Sequence, residues 1–224
     1  MGESEREREI RRSLAQALLL GISEQVVGQR ELLGELDAKT GDGDHGINMA
    51  KGFTLCRDRV DQVFDLASAF RLISDTLFLE IGGSMGPLYG VFFGALSDHA
   101  PSEVRISAEQ VCSMLDAGYR ALLEIGGASP GDKTMLDALY PALEATREGV
   151  ADELPVIPVL DRMKAAAING RDATRDMVAK VGRASRLGER SRGSVDAGAA
   201  SCCLILCAMA DGLARYAIQE GVGR

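Results

Sequence analysis

The sequence predicts an all-α domain of about eight helices. Three observations predict it. Apolar residues recur at three- and four-residue spacing along most of the chain. No stretch alternates strictly enough to make a half-buried strand. The apolar segments are separated by short clusters of Gly, Ser, Asp and Pro, which punctuate helices. At 224 residues and 46% hydrophobic, the chain can bury one full core. We read residues 1–224 as a single domain with no internal repeat and no interdomain linker.

The first helical segment covers about residues 6–38. It opens in a densely charged run and ends at an acidic, glycine-rich loop. The second follows that loop, over 45–62, and the third, over 65–81, ends at the glycine run from Gly82. The fourth, over 86–98, has Pro87 at its expected first position, where a missing N–H costs nothing. Its Gly90 and Gly94 would share one helix face and let a neighbouring backbone come close; a strand over Leu88–Leu96 is the alternative. The fifth, over 107–125, carries Val111, Leu115, Leu122 and Ile125, and Ser107 with Gln110 forms a capping-box pattern. The sixth, over 132–148, contains Pro141, which should bend or shorten it. The seventh, over 156–181, follows a loop with Pro155 and Pro158. The eighth, over 196–220, holds an apolar run with Cys202, Cys203, Cys207 and Met209 that reads as core.

Net charge is −8 and aromatics are 4% with no Trp, so neither a nucleic-acid footprint nor a base-stacking platform is expected. The five Cys make no CxxC pair, which argues against a zinc site or a disulfide framework. Reduced thiols suit a cytoplasmic protein. The charged N-terminus lacks an apolar signal core, and the uncharged run near Ala197–Ala210 is too short to span a bilayer, so no membrane segment is expected.

Residues 37–48 carry the chemistry. Asp37, Asp42 and Asp44 fall within eight positions, broken by glycines and followed by His45 and Asn48. Like charges this close repel one another, and a hard cation would turn the repulsion into attraction. Asp oxygens suit Mg²⁺, which takes its remaining ligands from water and substrate phosphates. A plain Asp/Gly turn capping the next helix is the alternative, though such a turn needs one Asp and one Gly. An EF-hand does not fit: its twelfth position would be Phe53.

Three further loops bear on anion binding. Gly82–Gly86 precedes a helix and is either a phosphate cradle or a tight turn. Gly126–Thr134 approaches a P-loop, but Asp132 separates the second Gly from Lys133 and no strand precedes it, so a P-loop NTPase is rejected. A helix cap with a Lys133–Asp137 pair is the simpler reading there. Residues 182–198 hold Arg183, Arg186, Arg190 and Arg192. Arg forks match phosphate oxygens, although a solvated loop pairing with surface carboxylates fits equally. No Cys–His or Ser–His–Asp set offers a nucleophile.

In order along residues 30–210, Gly41–Asn48, Gly82–Gly90, Pro130–Asp137 and Gly182–Ser191 resemble the nucleotide-binding L subunit of dihydroxyacetone kinases. The same domain forms the C-terminal part of single-chain, ATP-dependent members. The resemblance implies a barrel of eight antiparallel helices with the nucleotide bound in loops at one end. It implies Asp37, Asp42 and Asp44 as ligands of Mg²⁺, expected as two ions. It implies His45, Gly46, Ile47, Asn48, Ser84 and Met85 near the phosphates, and Gly126 and Met135 around the adenine. Arg183, Asp196, Ala197 and Gly198 complete the implied ADP/ATP site. Met85 stands where the family commonly has Ser, and Ser194-Val195-Asp196-Ala197-Gly198 where His-Gln-Asp-Pro-Gly is usual. The first change removes a hydroxyl donor, and the second removes a rigid Pro.

The resemblance also implies a division of labour. A separate K subunit holds the hydroxyketone, and this chain supplies Mg-nucleotide without a catalytic residue of its own. A phosphoryl-donor subunit of the phosphotransferase system would recharge bound ADP in some members. The alternative is an ADP-liganded regulatory module without turnover. A metal-dependent phosphatase is the third reading.

Overall fold

The structure, a computed structural model, describes residues 4–218. Among these residues there are nine α-helices and no strand. They are α1 (Glu5–Gly28), α2 (Arg30–Asp37), α3 (His45–Asp58), α4 (Leu66–Glu80), α5 (Met85–Asp98), α6 (Ala108–Gly126), α7 (Leu136–Ala151), α8 (Val156–Ala173) and α9 (Ala197–Ile218). Eight of them close a ring. From α3 to α9 each helix packs on the next, α9 packs on α1, and α1 packs on α3. The short α2 lies against α3. Successive ring helices are antiparallel, so alternate connections gather at the same pole, as the all-α barrel reading expects.

Local signals set several boundaries. Ser107 and Gln110 make the reciprocal capping box that starts α6, and Ser4–Glu7 and Asp65–Ser68 do the same for α1 and α4. The core then fixes how the helices meet. Phe93 of α5 contacts Phe53 of α3, Phe70 of α4 and its own neighbour Phe92, with ring centroids 6.3, 6.0 and 5.3 Å apart. The contacts with Phe53 and Phe92 are edge-to-face, which adds about 0.5–1.5 kcal/mol each beyond buried area, and that with Phe70 is tilted. Gly90 lets α4 and α5 approach: a Cβ there would sit 2.8 Å from Cβ of Phe78. At the same contact Ser74 Oγ donates to the Gly90 carbonyl at 2.7 Å.

Three expectations shift. The 6–38 segment is two helices, because the chain turns at Gln29, whose N–H bonds the Val26 and Val27 carbonyls. The seventh segment stops at Ala173 and passes into a 3₁₀ turn, Thr174–Asp176. The fourth starts at Met85, so Pro87 is its third residue; its missing N–H still falls in the first turn, where no intrahelical acceptor exists. Pro141 lies inside α7, as the sequence reading placed it. The Asp137 carbonyl that would have received its N–H is covered instead by α8, where a Cβ on Gly170 would come within 2.1 Å of that oxygen.

The apolar run of α9 also extends past Asp211. Over Ala197–Ala217 it is long and apolar enough to cross a membrane by length and composition alone, which the shorter 197–210 reading missed. In the structure 72% of that window is buried. Cys202, Cys203, Ile205, Leu206 and Leu213 are core residues, so the ring uses this apolar surface.

Candidate functional site

At one pole, the connections α2–α3, α4–α5, α6–α7 and α8–α9 line a cleft of about 460 Å³. The acidic loop forms one wall. Asp37 ends α2, Asp44 immediately precedes α3, and Asp42 lies between them. One oxygen from each carboxylate lies within 4.8 Å of the others. Asp37 Oδ2 accepts the His45 N–H at 3.3 Å, and the Asp37 carbonyl accepts the N–H groups of Thr40 (3.0 Å) and Gly41 (2.6 Å). Asp37 thus does the capping that a plain turn requires. Asp44, at the N-cap position, makes no side-chain cap bond. The cluster therefore holds more carboxylate than the turn consumes, and its hard oxygen donors fit Mg²⁺.

The Arg-rich segment faces this wall. It runs without α-helix from Met177 to Asp196, with a 3₁₀ stretch over Arg183–Ser191. Arg183 Nη1 donates to Asp42 Oδ2, joining the two loops across the cleft mouth. Lys180 pairs with Asp132 at 3.2 Å. Asp196 caps α9 by accepting the Ala199 N–H at 2.7 Å. Burial raises the Asp196 carboxyl to about 6, against the lowering pull of that amide and of Lys133.

Lys133 is 3% exposed and adopts φ +64°. It does not pair with Asp137 as the spacing suggested. Asp137 instead accepts the Gly131 and Thr134 N–H groups at 2.5 and 2.7 Å. Lys133 Nζ donates to three backbone carbonyls, of Ser191 (2.6 Å), Ser194 (2.7 Å) and Met177 (3.2 Å). An ammonium has three donors, so none remains for a phosphate.

His45 is buried at the base of the cleft. Its Nε2 is 2.9 Å from Ser201 Oγ, which lies 2.6 Å from Tyr89 Oη and donates to the Gly198 carbonyl at 3.1 Å. Burial lowers its pKa to about 4, with the Asp37 charge opposing, so the ring is neutral at pH 7. This network ties α3, α5 and α9 together beneath the acidic loop.

Of the residues singled out from sequence, Asp37, Asp42, Asp44, His45, Ser84, Met85, Met135, Arg183, Asp196, Ala197 and Gly198 line the one cleft. Gly46 packs against α2 instead, where a Cβ would meet the Arg30 carbonyl at 2.0 Å. Ile47 is 54% exposed, and Asn48 N bonds the Asp44 carbonyl as α3 begins. Any part Gly46 and Ile47 take in binding falls to their backbone amides in the first turn of α3, which lack intrahelical acceptors, whereas the Asn48 amide is already bonded. Gly126 is the last residue of α6. Sequence reasoning missed Lys133, Tyr89 and the apolar wall of Leu88, Leu122 and Ala128. Tyr89 and Leu88 sit within the Gly82–Gly90 motif, which was the available signal; Leu122 is indistinguishable from core by periodicity.

A family model described as the DAK2 domain matches residues 39–211. The chain is 35% identical over 185 residues to the ADP-binding subunit DhaL of PEP-dependent dihydroxyacetone kinase 2 from Listeria innocua, spanning 80% of this chain and 84% of that one. It is 35% identical over 191 residues to D-erythrulose kinase from Mycolicibacterium smegmatis, spanning 84% of this chain and 33% of that one. The solved dihydroxyacetone kinase of C. freundii in complex with AMP-PNP and Mg²⁺ superposes with a TM-score of 0.65 at 27% identity. That match covers 89% of this chain and about a third (34%) of the solved one.

Proposed function

The chain belongs to the DAK2-domain family, to which the nucleotide-binding subunits of dihydroxyacetone kinases also belong, and from that premise we propose that it is the nucleotide-binding component of a kinase acting on a small hydroxyketone. ADP or ATP occupies the cleft, with its base against Leu88, Leu122, Ala128 and Met135 and its phosphates toward the acidic loop. Asp37, Asp42 and Asp44 hold Mg²⁺, expected as two ions. When bound, Mg²⁺ neutralises charge on the phosphate oxygens. Arg183 adds a guanidinium at the same mouth, and the α5 N-terminus presents amides after Ser84 and Met85.

This chain's part is positioning and electrostatics. A separate K subunit holds the acceptor, a division of labour supported by the likeness to a relative described as an ADP-binding subunit of a dihydroxyacetone kinase. A phosphotransferase-system subunit recharging bound ADP fits the PEP-dependent relative, and exchange of free ATP fits the larger kinases. A cytoplasmic location goes with either route.

The observation that carries this reading is the carboxylate cluster, three oxygens within 4.8 Å at the mouth of a cleft lined by four loops. Two measurements test it. Calorimetry of the full chain with MgCl₂ and ADP should show saturable binding that chelation of Mg²⁺ weakens. Phosphate transfer from ATP to dihydroxyacetone should appear only when a K subunit is supplied. Absence of nucleotide binding with or without Mg²⁺ would sink the proposal. Binding without turnover would leave the regulatory alternative standing.

A further inference from the structure

The segment from Met177 to Asp196 has no α-helix to stabilise it, yet it carries Arg183 to the cleft mouth. Its order comes from elsewhere. Ser191 is fully buried; its Oγ accepts the Ala179 N–H at 2.9 Å and donates to the Gly188 carbonyl at 2.6 Å. The Gly193 N–H bonds the Arg175 carbonyl at 2.7 Å, and the Asp196 N–H bonds Thr174 Oγ1 at 3.0 Å. At the centre of this fold-back stands a side chain from another loop, the buried ammonium of Lys133. Its three carbonyl acceptors come from the beginning and the end of the segment, Met177 and then Ser191 and Ser194.

We infer that Lys133 is a positioning residue, a fixed internal cation that folds the 177–196 segment into a strap and thereby sets Arg183 at the mouth of the nucleotide cleft. Lys133 touches neither nucleotide nor metal in this role. Three observations argue for it together. All three donors are spent on the strap. The residue keeps a left-handed backbone, a conformation that non-glycine residues rarely adopt. The group is buried, and a buried ammonium is retained only where its donors are satisfied. Lys180 adds a second, exposed tie to the same loop through Asp132.

The inference rests on the nucleotide reading of the cleft, and the test separates the two. Affinity for Mg·ADP is measured by calorimetry on the full-length wild type, K133M, R183A and the double variant. Hydrogen exchange is followed in parallel at the Ala179, Arg192 and Gly193 amides. K133M should bind about tenfold or more weakly, lose protection at those three amides, and keep the cooperative melt of the helical ring. Because Lys133 acts through Arg183, the double variant should bind no more weakly than R183A alone. Wild-type binding with unchanged K133M affinity overturns the inference, and so do losses that add in the double variant. If the wild type fails to bind, the nucleotide reading falls and the exchange data still decide whether Lys133 orders the strap. Should K133M not fold, K133Q is read the same way. Loss of the whole ring in both variants overturns the inference, because it would place Lys133 in the general core.

Discussion

Arg183 and Asp42, 141 residues apart in sequence, are ion-paired across the mouth of the cleft. The pair joins the Arg-rich strap to the acidic loop, and both side chains are largely exposed, at 62% and 48%. Exposed pairs of this kind contribute little to stability. The contact is therefore cheap to break, and each partner can turn to another charge. Under the proposed function, the Asp42 carboxylate that gives up Arg183 turns to a cation and the freed guanidinium to a phosphate.

Removing the carboxylate should expose this trade. Asp42→Asn is expected to lower Mg·ADP affinity by about tenfold or more. Its melting temperature should stay close to wild type. Titration calorimetry beside thermal denaturation reads both, and unchanged affinity in a folded variant refutes the assignment of Asp42.

Arg183→Ala should shift unfolding free energy by no more than about 0.5 kcal/mol, since the lost pair is exposed. Its nucleotide affinity should nonetheless fall, and more at low ionic strength than at high salt. A large stability loss with intact binding would assign Arg183 to the scaffold.

Gly46→Ala should destabilise the protein without altering any charged group. The added Cβ would meet the Arg30 carbonyl at 2.0 Å and the Gly34 amide nitrogen at 2.6 Å, so α2 and α3 must part. A cost of about 1–3 kcal/mol is expected, read as a lower denaturation midpoint. Gly82→Ala, with nothing within 4 Å of the new Cβ, is the matched control and should be nearly neutral.

Asp196 gives a pH dependence with a definite sign. Its carboxyl is raised from 3.8 to about 6 in the folded protein, chiefly by burial. The folded state thus holds the proton more tightly than the unfolded chain. The resulting stability is fully present below about pH 3.8 and is lost as pH rises through about 6. Asp196→Asn should remove that part of the profile, so that its stability relative to wild type improves between about pH 4 and about 6. Parallel unfolding curves across this range would contradict the burial account.

Among the five cysteines, Cys207 should react first with a neutral electrophile. The Cys203 thiol beside it and Lys164 favour its thiolate against the cost of burial. Burial instead raises Cys56, Cys112 and Cys202. Cys203 is raised chiefly as the partner of Cys207. Brief N-ethylmaleimide treatment at pH 7 followed by peptide mapping checks the order; faster labelling of Cys112 would refute it.

The helical ring was legible because its signals are local. The Ser107–Gln110 box, the 3.6-residue spacing and the Gly90–Gly94 face each act within a turn or two of helix. The break at Gln29 was not legible, since no proline marks it and apolar residues continue through Leu33. The end of α8 was hidden for a related reason. Thr174 Oγ1 accepts the Asp196 N–H from 22 residues away, and no window on the sequence spans that bond. The same limit applies in the site. Asp37, Asp42 and Asp44 announce themselves by crowding within one loop. Lys133 sits beside Asp137 at helix spacing and yet bonds carbonyls 44, 58 and 61 positions away.

The closed ring puts all four site loops at one pole and leaves the outer ends of α1 and α9 at the other. Joinery and chemistry are thereby kept at opposite ends of the same object. A contact taken up at those outer ends therefore lies a full helix length from the cleft.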